Sequence, residues 1–436
     1  MIPGLAPRSA AWRVLHDIRR GVPLDRALNR ALTGLSEPDR ALAHEVAAGV
    51  LRHRRALDAA IHPFLSEGTA GVRPDVLDIL RLGAYQLLFL DRIPRHAAVD
   101  TSVTLARRFG GAGVGGFVNA VLRKVSEQPA APDHPALSAT SPADLADAYS
   151  HPEWLVSRWL SRLGAAETEE LLRANNRKPP LVLQPARWDR DAIAASLAAA
   201  GITWTPAPFD AGLVVRDRRP TELPGYGAGA WYVQDPAQAM VTRYAAVPRG
   251  STVFDAAAAP GGKAIALSRE AGFLVAADLR VSRVNTMHRN LARAASGPWA
   301  AIAADGHFPP VQPVDLVLLD APCLGTGVFS RHPDARWRVT PEALARLAEQ
   351  SARLLLSLAS VVRPGGLLVF ATCSLEPEEN EFQVEHFLAA DRRWRREPPP
   401  RDTVPATVLT ANGDLTLLPH RDQTDGAFAA RLRRQA

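Results

Sequence analysis

The sequence predicts an α/β chain: a doubly wound sheet domain preceded by an all-helical domain and a small α+β segment. Three observations carry that expectation. Apolar residues recur at helical spacing, without strand alternation, through about the first 127 residues. A proline-rich stretch and a segment of mixed pattern follow. Beyond Pro236 short apolar runs alternate with helical stretches, the rhythm of a mostly parallel sheet with helices on both faces.

The elements follow in order. Ala11, Val14, Leu15 and Ile18 share one helical face, as do Val76, Leu80, Ala84, Leu87 and Leu88. Phe117, Val118, Val121, Leu122 and Val125 resume the pattern after a glycine-rich break, so residues 1–128 read as a helical bundle domain. Residues 129–142 hold Pro129, Pro132, Pro135 and Pro142 among small residues and read as a linker. In residues 143–235, helices near 153–163 and 167–174 precede a Pro-Pro break. Strands at 181–183 and 213–215 then flank a helix near 192–200, which makes a small α+β domain. In residues 236–436, strands are expected at 252–254, 273–277, 300–304, 314–319 and 367–371. Helices near 263–270, 282–295 and 341–361 complete the alternation. Several of these strands end on or just before Asp255, Asp278, Asp305, Asp320 or Cys373. Ligands of such sheets sit outside the carboxyl ends of the strands.

Composition sets the class. The chain has 436 residues, 47% hydrophobic and 22% charged, which is ordinary for globular proteins and argues against wholesale disorder. Its only two cysteines, Cys323 and Cys373, exclude a disulfide scaffold and cysteine-rich zinc sites, and fit a reducing cytoplasm. No charged-then-apolar leader opens the chain, and the longest apolar stretch, near 354–362, is too short to span a bilayer. A cytoplasmic monomer with no membrane or metal partner is expected. The net charge is +6, and residues 1–127, with 18 basic against 12 acidic residues, account for all of it. That excess permits a nucleic-acid partner. Lysine occurs only at 124, 178 and 263, so a lysine within a motif stands out.

Asp255-Ala-Ala257-Ala258-Ala259-Pro260-Gly261-Gly262-Lys263 joins the first strand of the large domain to its first helix. Gly261 and Gly262 let backbone approach a ligand closely, and the helix amino terminus faces electron-rich groups. A nucleotide P-loop would need glycine at 257 and Ser or Thr at 264, and both positions are alanine. The dinucleotide fingerprint fails because the glycines are adjacent. Gly111 to Gly116 contains a formal match to that fingerprint, but a helix precedes it, so it reads as a turn between helices. His44-Glu45 lacks the second histidine of a zinc-protease helix. Asp278, ending the second strand, suits the two hydroxyls of a ribose, and Asp305, ending the third, an adenine amino group. Together they point to S-adenosylmethionine rather than a triphosphate.

Asp320-Ala-Pro-Cys323 follows the fourth strand, and Ala371-Thr-Cys373-Ser374 the fifth, so both thiols reach one crevice. A free cysteine is ordinarily a small buried hydrophobe. The only two in the chain, both at strand ends beside the ligand loop, argue for chemistry. Carbon 5 of cytosine is too weak a nucleophile to attack a sulfonium methyl group. A thiolate adding at carbon 6 concentrates electron density at carbon 5, and a carboxyl group near N3 stabilises that adduct.

Asp255 to Lys263, Asp320 to Cys323 and Thr372 to Ser374, continuing through Glu378-Glu379-Asn380, resemble the RNA cytosine-C5 methyltransferases. Ala98-Val99-Asp100 and Phe117 to Arg123 are similar to the NusB-like domain of the bacterial 16S rRNA member. Ser150 to Trp154, Asn175-Asn176, Arg331-His332-Pro333-Asp334 and Asp425 to Phe428 also fit, so the resemblance spans nearly the whole chain. It implies a Rossmann-like methyltransferase domain behind a NusB-like RNA-binding domain, with S-adenosyl-L-methionine as cofactor and 16S rRNA as partner. By motif, it implies Cys373 as nucleophile, Cys323 as the residue that helps release product, and Asp320 as the third catalytic group. The implied cofactor-binding residues are Ala257 to Lys263, Asp278, Asp305 and Asp320. Ala257 stands where members often have cysteine and Ala264 where threonine is common, while Leu183-Gln184-Pro185-Ala186 departs from the usual Arg-Val-Asn ending. Another RNA target, or a non-catalytic NusB-like RNA-binding protein, remains an alternative.

Overall fold

A computed structural model describes residues 4–111, 113–129, 141–216 and 218–436. Most of the expected linker, 130–140, lies outside the described residues. The chain forms two compact units, residues 1–177 with 329–338, and residues 178–328 with 339–436. This partition divides the chain differently from its composition: the helices between 142 and 176 join the helical unit, and so does a ten-residue segment from far downstream.

The first unit is helical. Among the described residues, seven α-helices lie between Leu5 and Ser126, and one of them, Pro74–Phe89, is buried along most of its length. Ile79, Leu80 and Leu82 are fully buried there, each worth roughly 1.5–3 kcal/mol of transfer free energy. Gly83 allows a close helix approach, because a Cβ there would lie 2.4 Å from Leu122 of Val114–Ser126. Of the formal fingerprint at 111–116, Val114, Gly115 and Gly116 begin the helix Val114–Ser126, and Ala112 lies outside the described residues. Three further helices follow at Pro142–Tyr149, Glu153–Leu163 and Ala165–Asn176; Ser141 caps the first by accepting the Asp144 N–H.

The downstream segment explains its own membership. Arg336 is fully buried and donates to the carbonyls of Arg52, Ser150 and Asn175, and to Asn176 Oδ1 at 2.7 Å. These acceptors lie at the carboxyl ends of three helices, where carbonyls lack intrahelical partners and the helix dipole favours a cation. One guanidinium closes all three ends.

The second unit holds two sheets. β1 (Leu181–Pro185), β2 (Trp204–Pro206), β3 (Leu213–Val215) and β4 (Trp231–Val233) form an antiparallel sheet in the order β2-β3-β1-β4. Gln184, where the sequence departs from the family pattern, is buried and donates to the Ala211 carbonyl. The larger sheet contains β5 (Thr252–Asp255), β6 (Phe273–Asp278), β7 (Trp299–Ala303), β8 (Val314–Asp320), β9 (Val362–Thr372), β10 (Trp394–Arg396), β11 (Leu415–Leu417) and β12 (Ala427–Arg434). Its order is β10-β12-β9-β8-β5-β6-β7, with β11 paired to β12. The pairs from β7 through β9 are parallel, and β12 runs antiparallel to β9.

Both faces of the sheet are covered around its centre, which is why β5, β6 and β8 read as apolar runs. Val253, Leu316, Leu318 and Val369 pack into one layer, while Phe254, Val317, Leu319 and Phe370 pack into the opposite one. The Rossmann-like arrangement expected from the alternating runs is present. Among the described residues no helix is long and apolar enough to cross a membrane.

Candidate active site

The chain leaves β5 toward β6 and β7, then returns to place β8 on the other side of β5. That reversal opens a crevice at the carboxyl ends of β5 and β8, where this class of sheet binds ligands. Asp255 ends β5 and Asp320 ends β8.

The loop after β5 is held from beneath. Ala256 N–H donates to Leu318 O and Ala258 N–H to Ala277 O, tying the loop to β8 and β6. Gly261, at φ 108°, makes the turn into Gly262–Leu267, a conformation that L side chains rarely adopt. Asn290 donates to Pro260 O and Arg283 to Ala259 O, so Val281–Ala294 braces the loop from its side. Asp278 is buried at the end of β6, accepts the Arg280 N–H and faces Arg283 at 3.3 Å. Asp305 stands two residues beyond β7 and accepts the His307 N–H.

Lys263 turns away from the loop that carries it. Its Nζ lies 2.7 Å from Asp320 Oδ2 and also donates to Gln238. Burial acts against its charge, yet Asp320, with Cys373 and Asp255 nearby, raises its pKa above that of an ordinary lysine. Asp255 is fully buried. Desolvation, with the negative charge of Asp320 adding to it, pushes its carboxyl up to about 7.

The two cysteines meet. In the β8–β9 ladder Asp320 pairs with Ala371, so Cys323 and Cys373 emerge from neighbouring parallel strands, and their sulfurs lie 3.5 Å apart. The hydrogen bond to Cys373 and burial, together with the negative charges of Cys373, Glu379 and Asp320, raise the Cys323 pKa well above the usual thiol range. That direction favours the protonated Cys323 thiol, which lies against the Cys373 sulfur. The turn around Cys373 is fastened on both sides: Thr372 donates to Asn380 Oδ1, Asn380 Nδ2 donates to Ser374 O, and Ser374 N–H donates to Thr372 Oγ1. Gly327 N–H donates to Cys373 O, and Gly426 N–H to Gly327 O. A Cβ on Gly327 would lie 2.7 Å from the Gly426 Cα, so these two backbones can touch only as glycines.

The structure thus brings together Cys373, Cys323, Asp320, Lys263 and Asp255, while Asp278 and Asp305 stand farther along the same sheet edge. Three polar partners had no assigned role in the sequence: Gln238, Glu379 and Asn380. Glu379 and Asn380 could have been singled out from the motif after Cys373, but Gln238 carries no local signal.

Comparison with known proteins agrees with this architecture. The family model described as 16S rRNA methyltransferase RsmB/F matches residues 245–433, the NusB family model residues 5–127, and an RsmF/B-like ferredoxin-like domain model residues 151–222. The probable ribosomal RNA small subunit methyltransferase B of Synechocystis is 36% identical, covering 99% of this chain and 100% of that protein. The ribosomal RNA small subunit methyltransferase B of Klebsiella pneumoniae is 33% identical, covering 97% and 96%. Among solved structures, that of the protein PH0851 shares the fold with a TM-score of 0.82 at 22% identity, covering 100% of this chain and 99% of that one. With full-length relatives above 30% identity and matching helical and catalytic domains, the chain belongs to the 16S rRNA methyltransferase RsmB/F family.

Proposed function

We propose that this chain transfers a methyl group from S-adenosyl-L-methionine to carbon 5 of a cytosine in 16S rRNA, through a covalent adduct between Cys373 and carbon 6. The observation that carries this reading is the 3.5 Å spacing of the two sulfurs beside the Lys263–Asp320 ion pair. Methylation of an exocyclic amine would need neither thiol. The names of the full-length relatives support ribosomal RNA of the small subunit as substrate.

The residues present fit the cofactor. Gly261 adopts a positive φ that L side chains rarely take, so the turn of the cradle calls for glycine. Ala257 to Gly262 would hold the methionyl end, Asp278 the ribose hydroxyls and Asp305 the adenine amino group. Leu279 and Phe308, 66% and 80% exposed beside those two carboxylates, offer apolar surface to a purine. When bound, S-adenosylmethionine supplies an electrophilic methyl group.

Each remaining role follows from position. Cys373, with Lys263 nearby and its sulfur 3.5 Å from that of Cys323, is placed to attack carbon 6. Asp320 hydrogen-bonds or protonates N3, which accepts the electron density displaced by the new S–C bond. Once carbon 5 carries the methyl group, its proton must leave to a base, and the electron pair it releases expels the Cys373 sulfur. Cys323, in contact with that sulfur, assists this elimination. Bisulfite sequencing of 16S rRNA from a deletion strain tests the reading: one cytosine should lose its protection, and an unchanged pattern would contradict it.

A further inference from the structure

Glu379 is wholly buried at the end of the short helical turn Pro377–Glu379. Its carboxylate receives the Leu324 N–H on both oxygens, at 2.9 and 3.2 Å, and the Ser374 hydroxyl as well. Leu324 is the residue after Cys323, and Ser374 is the residue after Cys373. Burying an ionised carboxylate costs several kcal/mol unless its oxygens are hydrogen-bonded, so these donors are what hold it there. Burial outweighs the hydrogen bonds from Ser374 and Leu324, with Glu376 and Glu378 adding their charge, and pushes the carboxyl up to about 7.

We propose that Glu379 is a positioning residue for the two-thiol site. Its carboxylate clamps the backbone after Cys323 to the Ser374 side chain after Cys373 and thereby sets the spacing of the sulfurs. The inference rests on the proposed roles of the two cysteines and adds the residue that registers them. The two ends of the clamp are unequal. Cys373 has the independent Thr372–Asn380–Ser374 network, whereas on the Cys323 side the carboxylate takes the backbone N–H of the very next residue. Loss of Glu379 therefore releases Cys323 first, leaving Cys373 able to add to carbon 6 with impaired product release.

The test uses the full-length protein with Glu379→Ala and Glu379→Gln, each checked for folding by circular dichroism. Oxidation with diamide, followed by intact mass, reads how readily the sulfurs meet by the loss of two hydrogens, without any substrate. Wild type should close the disulfide readily, Glu379→Ala at least roughly tenfold more slowly, and Glu379→Gln near the wild-type rate, because its amide oxygen still accepts the Leu324 N–H. With 16S rRNA and S-adenosylmethionine, Glu379→Ala should accumulate covalent protein–RNA complex, with lowered kcat and unchanged KM for S-adenosylmethionine. If Glu379→Ala does not fold, Glu379→Asp, one methylene too short to reach both donors, replaces it with the same expected outcome. Disulfide closure at the wild-type rate in Glu379→Ala, or Glu379→Gln as slow as Glu379→Ala, would overturn the clamp. Slowed closure in a protein that methylates no rRNA, wild type included, would keep the clamp and remove the functional reading instead.

Discussion

Lys263 Nζ sits 2.7 Å from the carboxylate of Asp320, although the lysine lies in the helix Gly262–Leu267 and the aspartate ends β8. By motif the lysine belongs with the cofactor loop, and its side chain reaches Asp320, with Cys373 nearby. Lys263→Met should therefore lower kcat by roughly a hundredfold, the range for losing an acid–base or electrostatic group. The affinity for S-adenosylmethionine, measured by calorimetry, should stay nearly unchanged. A large loss of affinity would return the lysine to the cofactor.

Asp278 carries the opposite expectation. Buried at the end of β6, it should bind the ribose hydroxyls, and Asp278→Ala should weaken S-adenosylmethionine binding by roughly 1.5–3 kcal/mol. Calorimetry giving wild-type affinity would end the ribose assignment.

Asp255 makes stability depend on pH. Its carboxyl is held at about 7 by burial and by Asp320, against 3.8 ordinarily. As pH rises above the ordinary value, the unfolded chain loses this proton while the folded chain keeps it until about 7, so folding is progressively penalised across that window. The penalty is complete above pH 7. Asp255→Asn removes it, and its stability relative to wild type should be about 3 kcal/mol more favourable at pH 8 than at pH 5. Urea denaturation of both proteins at the two pH values measures this, and a pH-independent difference would contradict it.

Arg336 should be among the most sensitive positions of the helical unit. Arg336→Ala strands the carbonyl ends of three helices and should destabilise that unit by about 3 kcal/mol or more. Arg336→Lys should not rescue it, because a single ammonium cannot reproduce the guanidinium fork. Thermal unfolding read by circular dichroism decides the point, and a rescue by lysine would contradict the geometry.

Much of this was legible in the sequence. The strands β5 to β9 announce themselves because burial on both faces makes them continuously apolar, and both cysteines follow such runs. β12 hides because Arg431 and Arg433 lie within it, and only the fold reveals Glu397 pairing with both. Pro364-Gly365-Gly366 disguises the start of β9. β2, β4, β10 and β11 are three residues long, too short for any periodicity. One long-range relationship was beyond any local pattern: Arg336 reaches Asn176, 160 positions earlier, and nothing near either residue signals the other. Glu379 lay within the Glu378-Glu379-Asn380 motif, but as one of three glutamates within four positions its sequence gave no sign that it grips Leu324.

The central claim is that Cys373 attacks the base and Cys323 assists its release. The most direct measurement is a denaturing gel of each single Cys→Ala variant incubated with 16S rRNA and S-adenosylmethionine. Cys323→Ala should run as a covalent protein–RNA complex, because the adduct forms and elimination stalls. Cys373→Ala should form no complex and transfer no methyl group, because carbon 5 is never activated. A complex from Cys373→Ala but not from Cys323→Ala would exchange the two roles, and full methylation by Cys373→Ala would contradict the covalent mechanism itself.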